Sequence, residues 1–343
     1  MSADRAGATG RADSAARAGA TGRADSGAGA GPTLAAVRSY GALRAVVSRG
    51  VPGLSARSAR GVWSGLDTDV ARAVAAAALG GAEAVEWVPA DPADRLAVLA
   101  AGGAELTVAN ATWTMGREAA WPVLFAAVTC YDGEGFLVRA ADGVSGPAAL
   151  AGRELAVQAG TTSAANLAAW YGPRGLAVRV REFPTPAAAL AGYADGGCAA
   201  LVLDRVALAG QRALLPVPAE HTVLAETISR EPMAAAVRED DPGWLRLCRW
   251  VVNLLLAAEH EVARAGPGDG NRAAALERVA GAAGRHGPAA GLDPRWAARV
   301  LAAVGTYADV YERALGPASG LDVPRGLNEL WTGGGLHYPV PLY

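Results

Sequence analysis

The sequence predicts an α/β protein built as two lobes. The first of three observations behind this is a length of 343 residues with a hydrophobic fraction of 52%, enough for two buried cores. The second is a strand–helix alternation that runs from residue 43 to 109 and restarts after Gly133. The third is purely helical periodicity from Trp244 onward. Such alternation marks parallel sheets covered by helices, in which ligands sit in the crevice beyond the carboxyl ends of the strands.

Residues 1–32 carry no large aliphatic side chain after Met1, and the segment RAGATGRADS occurs twice, from Arg5 and from Arg17. That composition buries too little apolar surface to offset the entropy of ordering, so a disordered low-complexity tail is expected. The tail also lacks the apolar stretch of an export signal, which taken literally keeps the chain in the cytoplasm.

Ordered pattern begins near Thr33. Residues 43–48 (LRAVVS) read as a strand ending at the turn Arg49-Gly50. Residues 67–79 read as a helix with Asp67 as its N-cap and Gly80-Gly81 as its stop. A strand at 85–88 follows; Asp91-Pro92 then opens a helix that Gly102-Gly103 ends before a strand at 105–109. Past Gly133 come strands at 135–138 and 154–158, a helix from Thr162, a strand at 178–181, a helix at 186–195, a strand at 199–203 and a helix from Asp204. Long helices at 244–264, 271–285 and 294–313 are expected to pack on the first lobe.

Composition excludes several functions. A net charge of -2 without a basic block offers no footprint for nucleic acid, and no run approaches the roughly 18 apolar residues of a membrane span. All 31 basic residues are Arg, so lysine Schiff-base chemistry and Gly-Lys-Ser/Thr phosphate loops are ruled out. Cys130, Cys198 and Cys248 are too widely spaced for a zinc site; pairing of Cys198 with Cys248 is left open. No metal, cofactor or catalytic residue is expected.

Several stretches carry a family resemblance: GVWSGLDTDVARAVAAA from Gly61, NATWTMGRE from Asn110, TCYDGEGFLVR from Thr129, VQAGTTSAANLA from Val157, ISREP from Ile228, and GTYADVYERALG with RGLNELWTGGGLHY near the end. With these the chain resembles the periplasmic solute-binding proteins of polar-amino-acid ABC transporters (family 3), most closely the general L-amino-acid branch. The resemblance implies the type II periplasmic-binding-protein fold, with two lobes hinged by crossing segments near 128–136 and 225–234. Lobe one would be 33–130 plus 230–343, and lobe two 131–229. It also implies an amino-acid ligand, an ABC permease partner, a monomer and an extracytoplasmic location.

A free amino acid is a zwitterion, so a dry cleft must offer hydrogen-bonded partners to both a carboxylate and an ammonium. The resemblance gives Arg117 the carboxylate, which a guanidinium grips with two parallel hydrogen bonds, and Asp204 the ammonium. Gly160, Thr161 and Thr162 fall between a strand and a helix start, where backbone N–H groups favour an anion. Asn110, Thr112 and Ser48 at strand ends are expected as polar liners, and Trp63, Trp87 and Trp113 as core residues in preference to pocket walls.

Ala109, Ala111 and Cys130 depart from the close branch, which carries Arg, Thr and an aromatic residue there; all three are expected on the pocket side, next to the ligand side chain. These departures and the tail raise an alternative, a diverged cytoplasmic paralogue acting as a lyase or dehydratase-type enzyme or as a sensor. Against it, His221, His260, His286 and His337 lie outside the cleft motifs, and Glu134 and Glu182 read as solvated faces.

Overall fold

The computed structural model describes residues 31–342. The first part runs α1 (Pro32–Tyr40), β1 (Leu43–Ser48), β2 (Ala56–Arg57), β3 (Trp63–Ser64), α2 (Leu66–Leu79), β4 (Val85–Ala90), α3 (Arg95–Ala100), β5 (Leu106–Thr107), α4 (Met115–Ala120) and β6 (Val123–Asp132). The middle runs β7 (Glu134–Arg139), β8 (Glu154–Gln158), α5 (Ser163–Tyr171), β9 (Arg179–Phe183), α6 (Pro186–Ala194), β10 (Ala200–Asp204), α7 (Arg205–Ala213) and β11 (His221–Val223). The chain returns through β12 (Glu231–Arg238) and ends in α8 (Pro242–Ala265), α9 (Asp269–Gly284), α10 (Trp296–Val304) and α11 (Tyr307–Ala314).

One sheet has the order β4-β1-β5-β12-β6 and the other β11-β7-β10-β8-β9. Each is mixed where parallel sheets were expected. β1 runs parallel to β4 and β5, and β8 parallel to β9 and β10, but β12 is antiparallel to β5 and β6, and β7 to β10 and β11. The cause is the double crossing: β6 leaves the first sheet and β12 returns to it, with Glu231 paired to Asp132 where both cross. Antiparallel neighbours need no covering crossover helix.

The C-terminal helices pack on the first sheet as expected. α10 lies against α2 and α9, and α8 against β6. The Trp244 indole, 1% exposed, donates to Glu105 O at 2.8 Å and pins α8 to the sheet, while the Tyr307 hydroxyl donates to Thr129 O at 2.9 Å.

Three local expectations, at Asp67, at Asp91-Pro92 and along 294–313, differ from the structure, and two others meet it only in part or were left open. The disorder expected for 1–32 falls outside the described residues up to 30, and Gly31 with Pro32 opens α1 instead. Asp67 sits inside α2, whose N-cap is Gly65, and turns its carboxylate inward. Asp91-Pro92 forms a turn, Asp91 O accepting from Asp94 N and Arg95 N, so α3 begins only at Arg95. Cys198 and Cys248 are both free.

The helix expected at 294–313 is broken between α10 and α11. Gly305 at φ 79 ends the first, and Thr306 with Asp309 forms a capping box that starts the second. Thr306→Ala should therefore cost about 1 kcal/mol of stability, read as a shifted midpoint in urea unfolding with an unchanged slope.

Candidate functional site

The carboxyl ends of β1, β5, β8 and β10 converge on one cleft between the two sheets. Its enclosed space is about 50 Å³, on a scale where one water needs roughly 10–15 Å³, so the lobes are drawn together. Seven of the expected residues line it: Ser48, Asn110, Thr112 and Arg117 from the first lobe, Thr161, Thr162 and Asp204 from the second.

Gly160 does not line it. At φ 73 it approaches the β4–α3 turn so closely that a Cβ there would lie 3.2 Å from the Ala93 methyl. Gly210 of α7 does the same opposite Pro52, where a Cβ would fall 2.6 Å from the carbonyl oxygen. Both glycines let the lobes meet.

Arg117 is held by α4. The Thr114 hydroxyl accepts from Arg117 N at 3.2 Å as the cap, and the Arg117 Nη1 donates to Thr112 O at 2.6 Å. Among the described residues the rest of its guanidinium has no partner, and it makes no ion pair. Burial lowers its pKa, against which Glu231 and Asp204 act to raise it.

Asp204 occupies the N-cap position of α7, yet its side chain makes no capping bond. Among the described residues nothing donates to its carboxylate. Burial pushes its pKa well above the usual carboxylate range, and the neighbouring Glu134, Asp132 and Glu231 push it further. Such a group is starved of a cation.

Glu134, expected on a solvated face, is 1% exposed. It accepts from the Ser163 hydroxyl at 2.6 Å and from Asn166 Nδ2 at 3.1 Å. Burial raises its pKa to about 7 in spite of these donors. The Asn166 amide also donates to Glu231 at 2.7 Å and so ties the second lobe to the crossing strand. Glu134, Asp204 and Glu231 each place an oxygen within 4.8 Å of the others. Three carboxylates fall short of the six to eight oxygens that calcium takes, but they suit an ammonium with its three donors. Glu182 is exposed as expected.

Two buried groups escaped the sequence reading. Asp67 accepts the Asn110 N–H at 3.0 Å and holds that residue at φ 38; burial raises its pKa to about 7. Arg95, 5% exposed, donates through Nη1 to Ala109 O and to Asn110 O, the latter at 3.3 Å. The Ser48 hydroxyl donates to Asn110 Oδ1. Neither a cap-like Asp nor an Arg in a helix start signals burial in a sequence.

The pocket-side placement of Ala109, Ala111 and Cys130 is overturned. All three are fully buried and none lines the cleft: Ala109 packs with Val46 and Ala90, Ala111 with Leu96 and Phe125. Along 109–112 the side chains of Asn110 and Thr112 take the cleft side and the alanines the core side. None of the three tryptophans lines the cleft; Trp63 is buried and packs on the half-buried Trp87 at 6.1 Å, whereas Trp113 stacks on Phe125 at 5.8 Å but is 38% exposed and so is not a core residue.

On the second wall, the Thr161 hydroxyl donates to Gln158 O at 2.7 Å and fixes the β8–α5 turn. Among the described residues the backbone N–H groups of Thr161 and Thr162 have no acceptor, and they lie at the positive end of α5.

Residues 43–260 match the family described as bacterial extracellular solute-binding proteins, family 3. The chain is 35% identical over 315 residues to the glutamate/glutamine/aspartate/asparagine-binding protein BztA of Rhodobacter capsulatus, covering 89% of this chain and 92% of that one. It is 34% identical over 318 residues to the general L-amino acid-binding periplasmic protein AapJ of Rhizobium johnstonii, covering 90% and 92%. Among solved structures it resembles an ABC transporter/periplasmic binding protein from Brucella ovis with glutathione bound, at a TM-score of 0.83 and 32% identity over 91% of this chain and 99% of that one. The match takes in both crossing strands and both walls of the cleft, and the chain belongs to the bacterial extracellular solute-binding proteins, family 3.

Proposed function

We propose that this chain is the amino-acid-binding component of an ABC importer, closing two lobes over a free L-amino acid. Arg117 takes the α-carboxylate, with help from the Thr161 and Thr162 N–H groups across the cleft, and Asp204 takes the ammonium. Ser48, Asn110 and Thr112 complete the polar wall, and Gly160 serves closure. The observation that carries this reading is the pair of charged groups on opposite walls, Arg117 and Asp204, neither of which has an ion-pair partner among the described residues. Both side chains are half-buried; an unpaired charge drawn away from water is costly, and a zwitterion satisfies both.

The lobes are taken as 33–130 plus 230–343 and 131–229, with the protein acting as a monomer outside the cytoplasm and presenting its closed form to a permease. Among the described residues no helix is long and apolar enough to cross a membrane. Ligand contacts from both lobes favour a closed state already present in the population.

The enzyme reading retains one candidate group, Glu134, whose buried carboxyl at about 7 suits proton transfer. No histidine lines the cleft. Calorimetry with a panel of amino acids should give stoichiometric binding, and mass spectrometry of the incubated ligand should return it unaltered; a product would replace this reading with the enzymatic one.

Closure supplies a separate check away from the ligand. Gly210→Ala would place a methyl against Pro52 O, an overpacking of about 1–3 kcal/mol. Because the clash exists only when the lobes meet, amino-acid affinity should fall roughly five- to 150-fold, while the thermal midpoint of the empty chain holds or rises. Equal losses in both would mean a local helix defect.

A further inference from the structure

The cleft holds two guanidiniums, Arg95 buried and Arg117 half-buried, where one α-carboxylate needs only one. Arg95 is the more deeply buried, at 5% exposure, and lies close enough to Arg117 that, after burial itself, the Arg117 charge disfavours its own. Asp67, Asp91 and Asp204 surround Arg95, yet among the described residues none of them forms an ion pair with it. Asp67 spends its carboxylate on the Asn110 N–H.

The hydrogen bonds of Arg95 are one-sided. Nη1 donates to Ala109 O, and more weakly to Asn110 O and Oδ1 at 3.3 and 3.4 Å. Nε is buried with no acceptor, and Nη2 has none among the described residues. The Nε/Nη2 edge is the one that takes a carboxylate side-on through two parallel hydrogen bonds. A buried donor left without an acceptor costs free energy, and this one belongs to a side chain that lines the ligand cleft.

Resting on the amino-acid reading above, we infer that Arg95 reads the ligand's side chain and that the cleft is built for dicarboxylic amino acids. One carboxylate goes to Arg117, the second to Arg95 and the ammonium to Asp204. A ligand of that kind gives both arginines a carboxylate, whereas an aliphatic amino acid leaves Arg95 buried and unpaired. Bracing of the 109–110 turn through Nη1 is a second, positioning role, and it is blind to the ligand's side chain.

Calorimetry separates the two roles with glutamate, aspartate, norvaline and alanine as probes. The wild-type chain should bind the better dicarboxylic ligand at least about tenfold more tightly than norvaline. Arg95→Gln removes the brace as well and can weaken every ligand, but it should lower dicarboxylic affinity at least about tenfold more than norvaline affinity and so abolish the preference, and Arg95→Lys should restore part of it. Equal losses for all four ligands would reduce Arg95 to a brace and overturn the inference. Where Arg95→Gln fails to fold, the wild-type panel decides alone: norvaline binding as tightly as glutamate overturns it. If the wild-type chain binds no amino acid at all, the underlying reading of the function falls as well.

Discussion

Arg117→Ala is expected to weaken amino-acid binding by about 2–5 kcal/mol, roughly 30- to 5,000-fold in Kd. The size follows from what is left behind. The ligand's carboxylate would enter a cleft that excludes water, and the Thr161 and Thr162 N–H groups alone would not replace a planar two-bond grip. Arg117 makes one bond inside the protein, from Nη1 to Thr112 O, so its removal disturbs the fold little. The thermal midpoint of the empty chain should stay nearly constant, which separates a binding loss from unfolding. Arg117→Lys keeps the charge but loses the fork, and should fall between the two. An unchanged affinity for Arg117→Ala would remove the residue from the site.

Much of this site was legible because strand ends and helix starts leave marks in a sequence. The Gly-Thr-Thr after β8, the Asp ending β10 and the Asn-Ala-Thr after β5 all lie where an α/β crevice opens, and Thr161, Thr162, Asp204, Asn110 and Thr112 reach the cleft. What stayed hidden depends on which way a side chain turns within a short segment. Asp67 looked like a cap and is a buried acceptor two residues past it; Ala109 and Ala111 looked like pocket residues and back the wall instead. Arg95 and Glu134 carry no sequence mark of burial, since charged residues are mostly solvated. The mixed sheets were missed because β6 and β12 are hydrophobic runs whose pairing joins residues some hundred positions apart, as in Glu231 with Asp132. Such contacts lie beyond any local periodicity.

Asp204→Asn should cost a comparable 2–5 kcal/mol of affinity, as an order of magnitude for one member of a desolvated charge pair, and should also flatten the response to pH. Burial raises the pKa of Asp204 well above the usual range, and that of Glu134 to about 7 and of Asp132 to about 6. Raised carboxyl pKa values mean that the empty folded chain binds more protons than the unfolded one between roughly pH 4 and 7. Its stability therefore falls as pH rises through that window. A bound ammonium favours the ionised carboxylates, so binding releases protons and affinity rises with pH over the upper part of the same window. The two slopes have opposite signs and a shared origin. Replacing Asp204 by Asn removes one of the mutually repelling charges, which lets Glu134 ionise at lower pH and weakens both slopes. Thermal melts of the empty chain and calorimetric titrations between about pH 5.5 and 8 read the two effects separately. A wild-type affinity that is flat across this range, or an Asp204→Asn variant that binds as tightly as wild type, would remove Asp204 from the ammonium site.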